Sequence, residues 1–110
     1  MTRPNKYKAK KVKTEDGTFD SQAEYRRWVQ LQLMERAGLI EGLRRQIGYA
    51  LDVNGHNVCK YKADFAYYSP AGPLARLWIE DVKGVRTPVY RLKKKLMKAI
   101  HGIEIQEVAA

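Results

Sequence analysis

Behind Ser21-Gln22-Ala23-Glu24, residues recur at helical spacing: Trp28, Leu31, Met34 or Glu35, then Ala37 to Leu39. Serine followed three residues on by glutamate is a capping box, in which Ser21 accepts the Glu24 amide proton and the Glu24 carboxylate reaches back to the backbone of Ser21. With Gly38 as a left-handed stop, the pattern predicts a helix over residues 22–37. From Leu43 the period changes to two. Leu43, Arg45, Ile47 and Tyr49 fall on one face, and Arg44, Gln46, Gly48 and Ala50 on the other, which predicts a strand over 43–51. Asn54-Gly55 signals a tight hairpin, with His56 exposed beside it. The next strand, 58–68, sets Tyr61, Ala63, Phe65 and Tyr67 against Lys62, Asp64, Ala66 and Tyr68.

Ser69-Pro70-Ala71-Gly72-Pro73 then reverses the chain into an antiparallel third strand over 75–83. There Leu77, Ile79, Asp81 and Lys83 alternate with Trp78, Glu80 and Val82. Thr87-Pro88 opens a second helix, proline suiting the first helical position. Its expected apolar stripe is Val89, Leu92, Leu96 and Ala99 or Ile100. Gly102 ends it, and Ile103 to Val108 reads as a last short strand. Upstream of the first helix, Glu15-Asp16-Gly17-Thr18 reads as a turn and Phe19 as the first core anchor.

A chain of 110 residues is one domain's worth. Its composition is ordinary except in charge: 21 Lys plus Arg against 12 Asp plus Glu gives a formal net of +9. Such a surplus points to a polyanionic partner, nucleic acid ahead of an anionic membrane surface. The single Cys59 excludes an intrachain disulfide framework and an all-cysteine metal site, which makes the reducing cytoplasm the expected location. No run approaches the roughly 18 apolar residues of a membrane span. Residues 1–13 carry Arg3, Lys6, Lys8, Lys10, Lys11 and Lys13 with few apolar neighbours and are expected to form a flexible basic arm ahead of a single domain, 14–110. Further cations lie at Arg26 and Arg27 on the first helix, at Arg86, and at Arg91, Lys93, Lys94, Lys95 and Lys98 on the second. With no acid among its residues, the second helix is expected to meet phosphate.

Asp64 and Asp81 lie on neighbouring expected strands, with Lys83 on the same face as Asp81. Two converging carboxylates repel, and a divalent cation removes that repulsion while organising oxygen ligands. Carboxylates and a backbone carbonyl suit Mg²⁺, with Mn²⁺ able to substitute, so Asp64, Asp81 and the Val82 carbonyl are the candidate ligands. Lys83 would stabilise charge developing on a scissile phosphate. The plainer reading of the same residues is an edge salt bridge between Asp81 and Lys83 in a non-catalytic nucleic-acid-binding protein. Glu24, on the residues alone, is most simply a capping residue.

Asp64 followed by Glu80-Asp81-Val82-Lys83-Gly84 resembles the active-site pattern of the PD-(D/E)xK nuclease superfamily. More closely, Lys6-Tyr7, Phe19 to Glu24, Gln46, Ala63-Asp64-Phe65, Glu80 to Gly84 and Leu92 to Leu96 resemble a small phage-borne family placed in that superfamily, with endonuclease or Holliday-junction resolvase activity expected. The resemblance implies an α/β fold with a restriction-endonuclease-like core: a helix, a three-stranded antiparallel meander, a crossing helix and a final strand in a mixed sheet. It implies a metal-dependent DNA endonuclease, selective for branched DNA such as Holliday junctions, dimeric, working beside phage replication, recombination or packaging proteins in an infected host. By the same resemblance Glu24 joins the catalytic set and the metal ligands, and Gln46 holds a water or phosphate. Lys62-Ala63 departs from the proline that gives the superfamily its name. The alternative is a non-catalytic nucleic-acid-binding or phage packaging protein on the same fold. For Glu80, which alternation turns away from Asp81, a salt bridge with a basic helix or a dimer partner is expected.

Overall fold

A computed structural model describes residues 10–70 and 76–110. A small hairpin, β1 (Val12–Thr14) and β2 (Gly17–Phe19), precedes helix α1 (Gln22–Arg36). Strands β3 (Glu41–Val53), β4 (His56–Ser69) and β5 (Arg76–Lys83) form an antiparallel meander, and helix α2 (Pro88–His101) leads into β6 (Ile105–Ala109), parallel to β5. The result is a mixed four-stranded sheet, ordered β3-β4-β5-β6, with two helices. The tip between β4 and β5 lies largely outside the described residues, as do Lys6 and Lys8.

Local chemistry accounts for the boundaries. Ser21 Oγ accepts the Glu24 amide at 3.1 Å, and Gly38 carries the chain out of α1 at φ +78°. Asn54 and Gly55, both with positive φ, close a two-residue loop between paired Val53 and His56, the primed turn that matches strand twist. Thr87 caps α2 ahead of Pro88, and Gly102 ends it at φ +66°. Val12 and Lys13 fall inside β1 rather than the arm, because Val12 pairs with buried Phe19. Arg45 fastens this hairpin to β3: its guanidinium lies 3.8 Å above the Phe19 ring and Nη2 donates to the Thr18 carbonyl at 2.8 Å.

Two cores sandwich the sheet. Leu31, Trp28 and Met34 of α1 pack with Phe65, Tyr67, Trp78 and Val82. Tyr90, Met97, Leu96 and Ile100 of α2 pack with Tyr61, Ala63, Ala66 and Ile79. The stripe of α2 is thus rotated from expectation. Val89 and Leu92 are exposed, and Tyr90 is buried because its ring packs in the core while its hydroxyl reaches Glu107 at 2.9 Å.

β5 keeps strict alternation between the two faces; β3 and β4 do not. Leu43 joins the α1 core while Ile47 and Tyr49 join the α2 core, and likewise Phe65 and Tyr67 face α1 while Tyr61 and Ala63 face α2. The inversion occurs at Gln46, whose φ is +58°, and at Asp64, which stands opposite it between the pairs Arg45↔Phe65 and Ile47↔Ala63. One irregular residue exchanges the faces of everything beyond it. A non-glycine residue in the left-handed region costs about 1–2 kcal/mol, so surrounding contacts must hold Gln46 there.

Candidate active site

The same irregularity opens the sheet. The β4–β5 ladder ends at Phe65↔Glu80, although the next pair in register would be Asp64 with Asp81. β5 nevertheless stays paired with β6 as far as Lys83↔Ala109. In the notch so formed, Asp64 Oδ2 accepts the Val82 N–H at 2.8 Å. A strand residue presents its N–H and C=O on one edge, so the Val82 carbonyl faces the same gap. The Lys83 carbonyl, one residue on, accepts from Ala110 on the other edge at 3.3 Å.

Asp64, Asp81, Val82, Lys83 and Glu24 line one cleft of about 360 Å³. Asp81 is 3 % exposed and fully engaged: Lys83 Nζ lies 3.3 Å from Oδ1, and the Tyr61 hydroxyl donates to Oδ2. Burial first, then Asp81, pushes the Tyr61 phenol far above its ordinary range, so it stays a donor. Burial also pushes the Asp64 carboxyl well up. Neighbouring Asp81 and the charge of Glu24 add to that rise, and the Val82 N–H only partly offsets it.

Glu24, from the first turn of α1, is 2 % exposed. Its Oε1 accepts from Gln46 Nε2 at 2.8 Å and its Oε2 from the backbone of Asp20 at 2.9 Å, one residue earlier than the capping box predicts. Burial is the main reason its pKa is raised. The Gln46–Glu24 bond ties β3's irregular residue to the first turn of α1.

Among the described residues, no three His, Cys, Asp or Glu side chains form a ready-made cation cage. The donor types nonetheless fit a hard divalent cation. Asp64 and Asp81 crowd each other beside a strand carbonyl, and burial, with the charge of Asp81 behind it, disfavours the ionised form of Asp64. His56, exposed in the hairpin, lies outside this cleft.

Not every expected phosphate ligand is free. Arg27 grips Glu80 through two parallel bonds, Nε to Oε1 at 2.8 Å and Nη2 to Oε2 at 2.6 Å, and Tyr67 donates to the same carboxylate. It ties α1 to β5 and is not available to a backbone phosphate; Glu80 takes the salt bridge with a helix expected of it. Arg86 and Lys94 both hold Glu107, whose pKa they and Tyr90 draw down to about 2 although burial opposes it. Arg91, Lys95 and Lys98 line the same α2–β6 groove, of about 700 Å³, as that pair. Lys10, Lys11, Lys13 and Arg26 are exposed. Tyr61 is the site residue that sequence reasoning missed; period two set it on the face opposite Asp64, and its partner Asp81 lies 20 residues on, so no local signal placed it here.

Residues 4–107 match the protein family described as "Protein of unknown function (DUF1064)". Neither curated proteins nor solved structures provide a match.

Proposed function

The chain belongs to the DUF1064 family, and from its site chemistry we propose that it is a metal-dependent DNA endonuclease with a restriction-endonuclease-like core. The observation that carries this reading is the break in the sheet that sets Asp64 against Asp81, with Val82 and Lys83 beside them. Mg²⁺, or Mn²⁺ in its place, would neutralise the phosphate and acidify a water there. Asp64, Asp81 and the Val82 carbonyl would hold it, and Glu24 would join by releasing the Asp20 amide. Lys83 would leave Asp81 for the scissile phosphate and stabilise the charge that develops on its oxygens. Gln46 keeps the Glu24 carboxylate directed into the cleft. Branched DNA such as a Holliday junction is the proposed substrate, with a homodimer supplying one site per cut strand. Phage replication, recombination or packaging proteins in an infected host's cytoplasm are its proposed company.

A second reading, a non-catalytic nucleic-acid-binding or packaging protein, draws support from the Asp81–Lys83 ion pair, which leaves both groups satisfied. Calorimetric titration with Mn²⁺ separates the two. The nuclease reading expects specific binding at low micromolar to millimolar concentration, lost in Asp64→Ala and retained in Lys83→Ala. Absence of specific binding to the wild type would favour the second reading.

A further inference from the structure

Asp81 and Lys83 line a second pocket on the far side of the acidic cleft, about 280 Å³ in volume, between β4, β5 and the start of α2. Its chemistry is opposite to that of the cleft. Lys62 of β4 and Lys93 of α2 join Lys83 there, and neither Lys62 nor Lys93 forms an ion pair among the described residues. Asp81 is the pocket's carboxylate, and it is already matched by Lys83 at 3.3 Å and by the Tyr61 hydroxyl. Lys83 Nζ also lies 4.3 Å from the centre of the Tyr90 ring, which holds the ammonium where it borders both openings. The pocket therefore holds uncompensated positive charge in a concave site.

We propose that this pocket binds a backbone phosphate of the nucleic acid, adjacent to the linkage presented to Asp64 and Asp81. That register rests on the nuclease reading; the phosphate-binding chemistry does not. Lys62 and Lys93, lining one pocket without carboxylate partners among the described residues, match a phosphodiester, whose charge is spread over two oxygens. A strand crossing Asp81 presents one phosphate on each side of it. The acidic side would take the linkage that reacts, and the basic side would hold the next and fix its position. Lys62, on the same strand as Asp64 and two residues before it, becomes a positioning residue.

The test is duplex-DNA affinity in chelator at several salt concentrations for wild type, Lys62→Ala, Lys93→Ala and their arginine counterparts. Reductive methylation of lysines with and without DNA, or with inorganic phosphate, runs alongside. Each alanine variant should weaken binding roughly 10-fold and lower the slope of log affinity against log salt by about 1. The arginine variants should keep the slope, and DNA should protect both lysines from methylation. Unchanged affinity and slope in both alanine variants, or a wild type that binds no DNA, would overturn the proposal. Protection by inorganic phosphate but not by DNA would assign a free-phosphate site and overturn it equally. Lysine-dependent binding without metal-dependent cutting would sustain the pocket and sink the nuclease reading. Cutting that is indifferent to both lysines would do the reverse.

Discussion

Replacing Asp64 with asparagine is expected to stabilise the metal-free protein. Asp64 accepts the Val82 N–H at 2.8 Å, and asparagine can keep that bond through its carbonyl oxygen while turning its amide toward Asp81. What changes is charge. Burial, then Asp81, holds the folded pKa of Asp64 above its ordinary value. A carboxyl in that position binds its proton more tightly when folded. Its contribution is complete below about pH 4 and is lost as the pH rises toward the folded value. Each tenfold gain in proton affinity on folding corresponds to about 1.4 kcal/mol, and solvent screening of this half-buried carboxyl discounts the sum to about 1–3 kcal/mol. At about 5 °C per kcal/mol for a domain of this size, Asp64→Asn should melt about 5–15 °C above wild type at pH 8 in chelator. The gap should close toward pH 4. Added Mn²⁺ should raise the wild-type midpoint and leave the variant's nearly unmoved. Thermal unfolding by circular dichroism across pH reads all three effects. A variant no more stable than wild type at pH 8 without metal would refute the reasoning.

Glu80→Gln should lower stability by about 3 kcal/mol, read as a urea midpoint, because it strands the Arg27 guanidinium and the Tyr67 hydroxyl around a neutral amide. Combining it with Arg27→Met should recover most of the loss. Tyr61→Phe removes the donor that fixes Asp81 Oδ2 and should reduce kcat roughly 10-fold with DNA affinity unchanged, measured as separate kcat and KM values.

How far the sequence reached depended on whether local spacing or distant geometry set each feature. Caps at Ser21 and Thr87, stops at Gly38 and Gly102, and the Asn54-Gly55 turn are local, and each lies where its side-chain or backbone chemistry predicts. Alternation along β5 likewise put Asp81 and Lys83 on one face, since nothing interrupts that strand. Gln46 was different. Glutamine gives no signal for positive φ, so the exchange of faces in β3 and β4, and the notch it opens beside Asp64, could not be read from a period of two. The α2 stripe shifted for another reason: Tyr90 is counted as half-polar, yet Glu107, 17 residues on, satisfies its hydroxyl and lets the ring be buried. Arg27 looked like one more phosphate ligand because its partner, Glu80, lies 53 residues away. Those pairings belong to the tertiary structure.

The most direct test of hydrolysis at the Asp64–Asp81 notch is cleavage of labelled four-way junction, flap and linear duplex DNA in Mg²⁺ and Mn²⁺. Wild type would be run beside Asp81→Asn and Lys83→Ala at matched DNA binding. Metal-dependent cutting, strongest on the junction and absent from both variants at equal DNA occupancy, is the predicted result. Wild-type protein that binds all three DNAs and cuts none would contradict it.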